Sequence, residues 1–263
     1  MPSVYDYPAV SDAVVRAPME QIKTEVDSIQ ALLAGIGAQA GRVLEIACGT
    51  CPHGALLAAR GFQVTGLDSS PKMLDGARRN ASASGVDLEL VEGNIVDFDL
   101  AGQTFDGAIF MAETFPLITA YEDIASHFRS VGRHVREGGL YVIDVDARRR
   151  GIGTKNEIWG EKTHRVGDDV VDVWHEDFPG DWVQGTSHLV MHCRIHMGDE
   201  IVETEDDWHI RMDHPAQLEV LLMTLPGWRL DGFYSWRDLN PDISDEDHYF
   251  MVAKRVGEAD SLR

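Results

Sequence analysis

The chain has 263 residues, of which 44 are acidic and 23 basic, giving a formal net charge of −21. A field of that sign repels phosphate backbones and anionic lipid, so we expect no nucleic-acid or membrane partner. It favours a cationic or amine-bearing small molecule, and the alternative is that the acidity only aids solubility. No apolar run approaches the roughly 20 residues that cross a bilayer, and no secretory leader is visible, which predicts a cytoplasmic protein.

Residues 1–40 are predicted to form an N-terminal helical cap. Apolar residues recur there at helical spacing, and Gly35 and Gly37 end the helix. The apolar positions are Ile22, Val26, Ile29 and Leu33.

The stretch from Val43 to Gly54 predicts a strand, a tight turn and the start of a helix. Its apolar run lacks polar alternation, as in a strand buried on both faces, and small residues lead from it to Pro52. Proline suits a first helical position, and the amides around such a helix start face outward with the positive end of the helix dipole. We therefore expect this turn to hold the polar tail of a ligand.

Asp68 ends the next predicted strand, about 20 residues beyond the turn, where an acid meets ribose hydroxyls in dinucleotide-binding units. The ligand is thus predicted to contain a ribose. NAD(P) is one candidate, but its G-x-G-x-x-G fingerprint is poorly matched by Ala47, Gly49 and Pro52.

Residues 41–146 alternate between strand and helix patterns, which predicts a parallel sheet with helices on both faces. Ligands in such sheets bind beyond the carboxyl ends of the strands. The predicted strands are 42–47, 63–68, 88–92, 105–111 and 139–144, and the predicted helices are 54–60, 71–83 and 121–136.

Residues 147–213 break this alternation. Period-2 patterns over 170–174, 187–197 and 201–211 predict antiparallel strands with one covered face, forming a lid inserted after the fifth strand. His188, His192 and His196 share a face of the middle strand, which raises the alternative of a metal site. The strand carries no acid on that face, and we therefore predict no metal.

The C-terminal part returns to the core pattern. Residues 214–257 predict a helix over 215–225 and two last strands over 228–234 and 248–255, which complete the sheet as a hairpin. Residues 258–263 are predicted to be a frayed tail.

Five motifs, in order along the chain, resemble those of the class I S-adenosylmethionine (SAM) methyltransferases. The resemblance implies a Rossmann-like α/β fold with a seven-stranded sheet, and the lid resembles that of amino-sugar and glycine/sarcosine-type N-methyltransferases. Two departures are Cys51 in place of the usual last glycine and Asn94 in place of the usual aspartate. The matching segments are Glu45–Cys51, Gly66–Leu74, Glu92–Ile95, Phe105–Met111 and Glu137–Asp144.

The resemblance also implies which residues bind the cofactor. Glu45 and the amides near Ala47 and Gly49 would meet the methionine end, and Asp68 the ribose. Ser69 and Met73 would flank the adenine, with Asn94 and Ile95 at its polar edge. Met111 would lie near the transferred methyl group.

The candidates for deprotonating the acceptor are Tyr5, Glu113 and His209, followed by His175 and His192. Members of this family often fold an N-terminal Tyr-Asp segment over SAM, and Tyr5-Asp6 resembles it, although Tyr5 could equally cover apolar surface. An amine must be neutral to attack, so a nearby base or a site for the free amine is the one chemical requirement.

We therefore expect a SAM-dependent methyltransferase of a small metabolite, with nitrogen favoured as the acceptor atom and a homodimer left open. The alternatives are O- or C-methylation of a natural-product scaffold, a SAM-binding protein without transferase activity, and an NAD-linked oxidoreductase. The C-x-x-C spacing of Cys48 and Cys51 also suggests a redox pair. Both cysteines fall inside the ligand turn, which instead favours a structural role.

Overall fold

The computed structural model describes residues 1–146, 156–246 and 248–257, and they divide into two compact units. One unit comprises Met1–Arg16 and Arg149–Met212, and the other comprises Ala17–Arg148 and Asp213–Arg263. The segment 1–40, grouped from its sequence as one cap, thus contributes to both units. None of the described helices is long and apolar enough to cross a membrane.

The larger unit is built on a seven-stranded sheet in the order β10-β11-β5-β4-β1-β2-β3. Strands β1 to β5 run parallel, and β10 and β11 form an antiparallel hairpin that pairs with β5. This is the class I methyltransferase arrangement, so the predicted fold class is confirmed. The strands are β1 Arg42–Ile46, β2 Gln63–Asp68, β3 Glu89–Glu92, β4 Phe105–Phe110, β5 Val135–Asp146, β10 Trp228–Ser235 and β11 His248–Arg255.

Five α-helices lie in the described part of this unit, and local interactions determine where they begin and end. α4 begins where the Ser70 hydroxyl accepts the Met73 amide, and it ends at Gly85, whose φ of 65° suits glycine. α5 has acids in its first turn and bases in its last, as the helix dipole favours. The helices are α2 Met19–Gly35, α3 Pro52–Ala59, α4 Pro71–Ser84, α5 Tyr121–His134 and α6 Pro215–Met223.

The smaller unit contains a four-stranded antiparallel sheet in the order β6-β7-β8-β9. A short 3-10 helix, Val4–Asp6, and α1, Pro8–Val14, supply Val4 and Val10 to the apolar cluster on one face of this sheet. The Asp206 carboxylate holds the N-terminal segment, accepting bonds from the Ser3 hydroxyl at 2.5 Å and the Val4 amide at 2.9 Å. The strands are β6 Glu157–Val166, β7 Asp169–Asp181, β8 Thr186–Met197 and β9 Glu200–Arg211.

Three elements of the smaller unit were not predicted, namely the 3-10 helix, α1 and β6. Four of the ten β6 residues are glutamate, lysine or arginine, and the strand contains Gly160 and a register shift between Trp159 and Lys162. A bulge breaks the period-2 pattern on which a sequence-based strand prediction depends.

Candidate functional site

The turn between β1 and α3 has an unusual backbone. Ala47, Gly49 and Cys51 all have positive φ, at 50°, 54° and 57°. The Cys48 and Cys51 amides donate to the carbonyl oxygens of Leu67 and Cys48, at 2.9 and 2.7 Å, and these bonds fix the shape of the turn. Two of the three are not glycine, and such strain is typical of ligand-binding loops.

The Glu45 side chain stabilises this turn. Its side chain is buried, and its Oε2 accepts the Gly54 amide at 2.6 Å and lies 3.1 Å from the Cys51 Sγ. The carboxylate therefore joins the end of the turn to the first turn of α3. The predicted contact of Glu45 with the methionine end of SAM is compatible with this shaping role but stays a prediction.

Asp68 links the same turn to the end of β2. Its Oδ2 accepts the Gly49 amide at 2.8 Å, and its Oδ1 accepts the Ser70 amide at 2.9 Å. Each carboxylate oxygen keeps further acceptor capacity for a ligand hydroxyl. Burial raises the pKa of Asp68 above its usual range, although the backbone hydrogen bonds oppose the rise.

The residues predicted for the adenine lie at the ends of β2 and β3. Met73 is buried, and its Cε lies 3.2 Å from where a Cβ at Gly49 would stand, so the glycine allows a close approach. Ser69 and Asn94 are exposed, and the Asn94 Oδ1 accepts the Val96 amide at 2.8 Å. The half-buried Ile95 offers its carbonyl oxygen to His127 Nδ1 at 2.6 Å.

A second strained turn follows β4. Met111 is buried, and the next two residues, Ala112 and Glu113, have positive φ of 57° and 53°. The Glu113 amide donates to Asp144 Oδ2 at 3.2 Å, which joins this turn to the carboxyl end of β5. Since β1, β2, β4 and β5 are parallel, both strained turns lie at the edge of the sheet where ligands of this fold bind.

A buried ionic array was missed from the sequence. Glu25 of α2 lies between His53 of α3, at 2.7 Å, and His248 of β11, at 3.4 Å. His53 also faces Glu45 at 3.7 Å. The sequence did contain an indication that Glu25 is buried. Glu25 lies three residues after Ile22 and four before Ile29, which places it on the apolar face of the helix.

Tyr5 and His209 belong to the smaller unit. Tyr5 is partly buried and packs against the apolar cluster of its sheet. The side chain of His209 is 63% exposed, and its ring stacks on that of His188 at 4.4 Å.

The sequence-based reason for predicting no metal was wrong, because neighbouring strands supply acids to the histidine face. Asp207 Oδ1 lies 2.9 Å from His188 Nε2 and 3.9 Å from His209 Nε2. The three ligand atoms lie within 4.8 Å of one another, so these side chains could reach one ion. The prediction of no metal itself is untouched by this geometry, because exposed acids beside histidines commonly bind none.

The two turn cysteines are buried free thiols. A hydrogen bond with Cys51 lowers the pKa of Cys48, but burial and the nearby Glu45 outweigh it and raise that pKa overall. The hydrogen bond with Cys48, together with burial, raises the pKa of Cys51 well above its usual range. Thiols of this kind are poor nucleophiles, which favours the predicted structural role over a redox one.

Comparison with known proteins identifies the central segment. Residues 43–139 match the family model described as a methyltransferase domain. The chain is 34% identical over 129 residues to glycine N-methyltransferase of Rattus norvegicus, covering 44% of each chain. It is 29% identical over 144 residues to dTDP-4-amino-2,3,4,6-tetradeoxy-D-glucose N,N-dimethyltransferase of Saccharopolyspora spinosa, covering 54% of this chain and 56% of that one.

The fold comparison extends further than the sequence comparison. A SAM-dependent methyltransferase from Clostridium acetobutylicum superposes with a TM-score of 0.77 at 16% identity, covering 94% of this chain and 97% of that chain. The chain aligns with only about half the length of the curated relatives it matches. Residues 43–139 therefore match a methyltransferase domain, and the resemblance of the chain to the class I SAM-dependent methyltransferases is confirmed.

Proposed function

We propose that this chain transfers a methyl group from SAM to the amine nitrogen of a small metabolite. The observation that carries the proposal is the strained turn after β1, whose Gly49 amide is bonded to the Asp68 carboxylate at 2.8 Å. A tightly bonded turn at the N-terminus of α3, beside a half-buried carboxylate, suits a ligand with a charged tail and a ribose. Bound SAM would supply a methyl group already activated by its sulfonium.

The residues around this turn fit such a ligand. Asp68 accepts from the ribose hydroxyls with its remaining lone pairs, and Met73 packs against the adenine beside Ser69. Asn94 and Ile95 lie at the polar edge of the base, and Met111 lies beside the reacting centre. The turn from Ala47 to Gly49, with Glu45 beneath it, receives the methionine end.

Nitrogen is favoured as the acceptor atom for two reasons. The names of the two relatives described above indicate N-methylation, of glycine in one and of an amino sugar in the other. The net charge of −21 also attracts amine cations from solution. The acceptor must lose a proton before it attacks, and Tyr5, Glu113 and His209 are the proposed proton acceptors.

Binding and transfer are tested in sequence. Isothermal titration of the purified chain with SAM, S-adenosylhomocysteine (SAH) and NADH should show binding of the first two only. NADH binding without SAM binding would replace the proposal with the oxidoreductase alternative.

Transfer is then measured with methyl-labelled SAM and three acceptor probes: glycine, a dTDP-amino sugar and a metabolite extract. The label should appear in an N-methyl product, identified by mass spectrometry and NMR. Label on oxygen or carbon would correct the acceptor atom, and SAM binding with no labelled product from any probe would leave a SAM-binding protein. Heat-denatured protein serves as the control for non-enzymatic methylation.

A further inference from the structure

Five ionisable side chains of the larger unit form one continuous buried array. The distances along it are 3.7 Å from Glu45 to His53, 2.7 Å from His53 to Glu25, 3.4 Å from Glu25 to His248 and 3.9 Å from His248 to Asp144. Each of the five residues is more than nine-tenths buried. The array thus joins α2, α3, β1, β5 and β11.

Both ends of this array reach a strained turn of the candidate site. At one end, Glu45 Oε2 accepts the Gly54 amide behind the turn after β1. At the other end, Asp144 Oδ2 accepts the Glu113 amide in the turn after β4. The centre of the array is Glu25, which is supplied by α2 and oriented by the Gln21 side-chain amide at 2.9 Å.

Stability alone gives a poor reason for this arrangement. Burying charged groups has a large desolvation cost, and apolar residues of similar size often give an equal or more stable fold. Buried ionic groups are better suited to fixing one geometry, because each member accepts only partners at particular positions. Among the described residues Asp144 Oδ1 has no hydrogen-bond partner, and the nearest acceptors of His248 Nε2 are ion-pair contacts at 3.4 and 3.9 Å, so the array is incompletely hydrogen-bonded.

We propose that Glu25 and His53 are positioning residues that hold the turn after β1 in its cofactor-binding shape, acting through Glu45. The inference rests on the proposed function, because it assumes that this turn binds SAM. His248 and Asp144 act in the same way on the turn that carries Glu113. Helix α2 therefore sets both sides of the site, although it carries none of the residues expected to touch SAM.

The ionisation of the array agrees with this role. Burial alone would lower the pKa of His53, but Glu25 and Glu45 outweigh it and raise that pKa to about 9. Burial would raise the pKa of Glu25, but its pairing with His248 and His53 lowers that pKa to about 2. At neutral pH the central pair is therefore fully charged, and Glu45 faces a cationic partner.

The first test compares two acids of the same helix. Glu25→Gln removes the charge at the centre of the array. Asp27→Asn is the matched control, because Asp27 pairs with Arg60 at the other end of α3 at 2.6 Å and is 68% exposed. Titration with SAH, which cannot react, should show affinity weakened about 10-fold or more for Glu25→Gln, as for a lost charged hydrogen bond.

For Asp27→Asn, the affinity should stay within about twofold of wild type, as for an exposed pair. Equal SAH affinities for the two folded variants would overturn the inference. Failure of the wild-type chain to bind SAH would instead overturn the proposed function, so the two failures are distinguishable.

Removing one partner of a buried pair can prevent folding. The double variant Glu25→Met/His53→Leu removes both central charges at once and replaces them with apolar groups of similar size. It should fold, as judged by its melting curve, and still bind SAH about 10-fold more weakly, since Glu45 then lacks the partner that orients it. A folded double variant with wild-type SAH affinity would overturn the inference.

A pH series supplies a readout that a merely structural role would not change. The groups that face His53 are Glu25 and Glu45 and, across the array, His248 and Asp144. The histidine NMR signal of His53 should titrate near pH 9 in the wild type and in Asp27→Asn. SAH affinity should fall over the same range in both.

In Glu25→Gln, the His53 signal should titrate at lower pH and the fall in affinity should move with it. The ionisation of SAH itself is common to all three proteins and cancels in the comparison. A fall in SAH affinity that stays at the same pH in all three would count against the inference.

Discussion

The two compact units place their polar groups differently. In the seven-stranded sheet, β1 and β4 are almost completely buried, and their functional groups lie in the turns beyond their carboxyl ends. In the four-stranded sheet, one face packs on Val4 and Val10, while the other carries histidines and acids along the whole length of its strands. The first unit thus fixes a few atoms tightly, whereas the second presents a broad polar surface.

This difference predicts a division of labour. A turn held by buried hydrogen bonds suits an invariant ligand such as a cofactor, because few side chains can change without altering its shape. A sheet face with exposed side chains can vary without loss of the fold, which suits recognition of a particular acceptor. We therefore expect residues 42–146 to determine cofactor binding and residues 147–213 to determine the acceptor.

The largest expected effect is on the pH dependence of the stability of the larger unit. His53 has its pKa raised from 6.5 to about 9, so its contribution to stability is fully present below pH 6.5 and is lost as the pH rises through 9. A shift of that size corresponds to about 3 kcal/mol. Hydrogen exchange of β1 and β4 amides should therefore accelerate between pH 6.5 and 9 beyond its intrinsic increase.

His53→Gln should flatten this pH dependence, whereas Asp27→Asn should keep it. Amides in β7 and β8 should show no comparable change, because His53 belongs to the other unit. Equal alkaline acceleration in both sheets would contradict the assignment of the effect to the buried array.

The second effect is on cofactor affinity. Asp68→Ala removes a carboxylate that bonds the Gly49 and Ser70 amides and is placed for the ribose, so SAM should bind about 10-fold more weakly or worse. Isothermal titration measures this, with Asp75→Ala as the control, since Asp75 is exposed and pairs with Arg78 on the surface of α4. Unchanged SAM affinity in a folded Asp68→Ala variant would contradict the proposal that Asp68 binds the ribose hydroxyls.

The sequence anticipated the larger unit well. Strands β1, β2 and β4 were predicted within one residue of their ends, because their apolar runs and the turn after β1 have few structural alternatives. The Asp68 position followed from the same spacing. By contrast, the bonds of Asp68 to the Gly49 and Ser70 amides depend on backbone geometry, which the spacing does not specify.

Two pairs of side chains could not be predicted from the sequence, because each pair forms between different segments of the chain. Glu25 and His248 are far apart in sequence, and only the packing of α2 near β11 makes them partners. Asp207 joins His188 only through the register of β8 and β9, which pairs His188 with His209. The period-2 pattern of β8 therefore predicted which histidines share a face, but it could not predict the acids that a neighbouring strand places beside them.

The third effect separates the acceptor from the cofactor. His209→Ala and Trp208→Ala should lower acceptor turnover about 10-fold, a modest loss for a residue that handles a proton or lines a site, while SAM affinity stays unchanged. Trp208 packs against the apolar cluster of its sheet, so a melting curve must precede any kinetic interpretation of that variant. The division of labour would be refuted by folded variants that lose SAM affinity as strongly as Asp68→Ala, or that keep the acceptor kinetics unchanged.

The smallest expected effect tests how tightly the turn after β1 is constrained. Cys51 has a φ of 57°, where a glycine is free of strain, and glycine is also the residue usual at this position of the family motif. Against that gain, the buried thiol lies 3.1 Å from Glu45 Oε2, and its removal leaves a small space. The two effects nearly cancel, so Cys51→Gly should keep or slightly improve SAM affinity, within about twofold.

Cys51→Ala is the matched control, because it removes the thiol but keeps the strained φ, and it should bind SAM no better than Cys51→Gly. Titration with and without reductant also tests the redox alternative, since a large loss of activity on reduction of the wild type would assign the Cys48–Cys51 pair a thiol function after all.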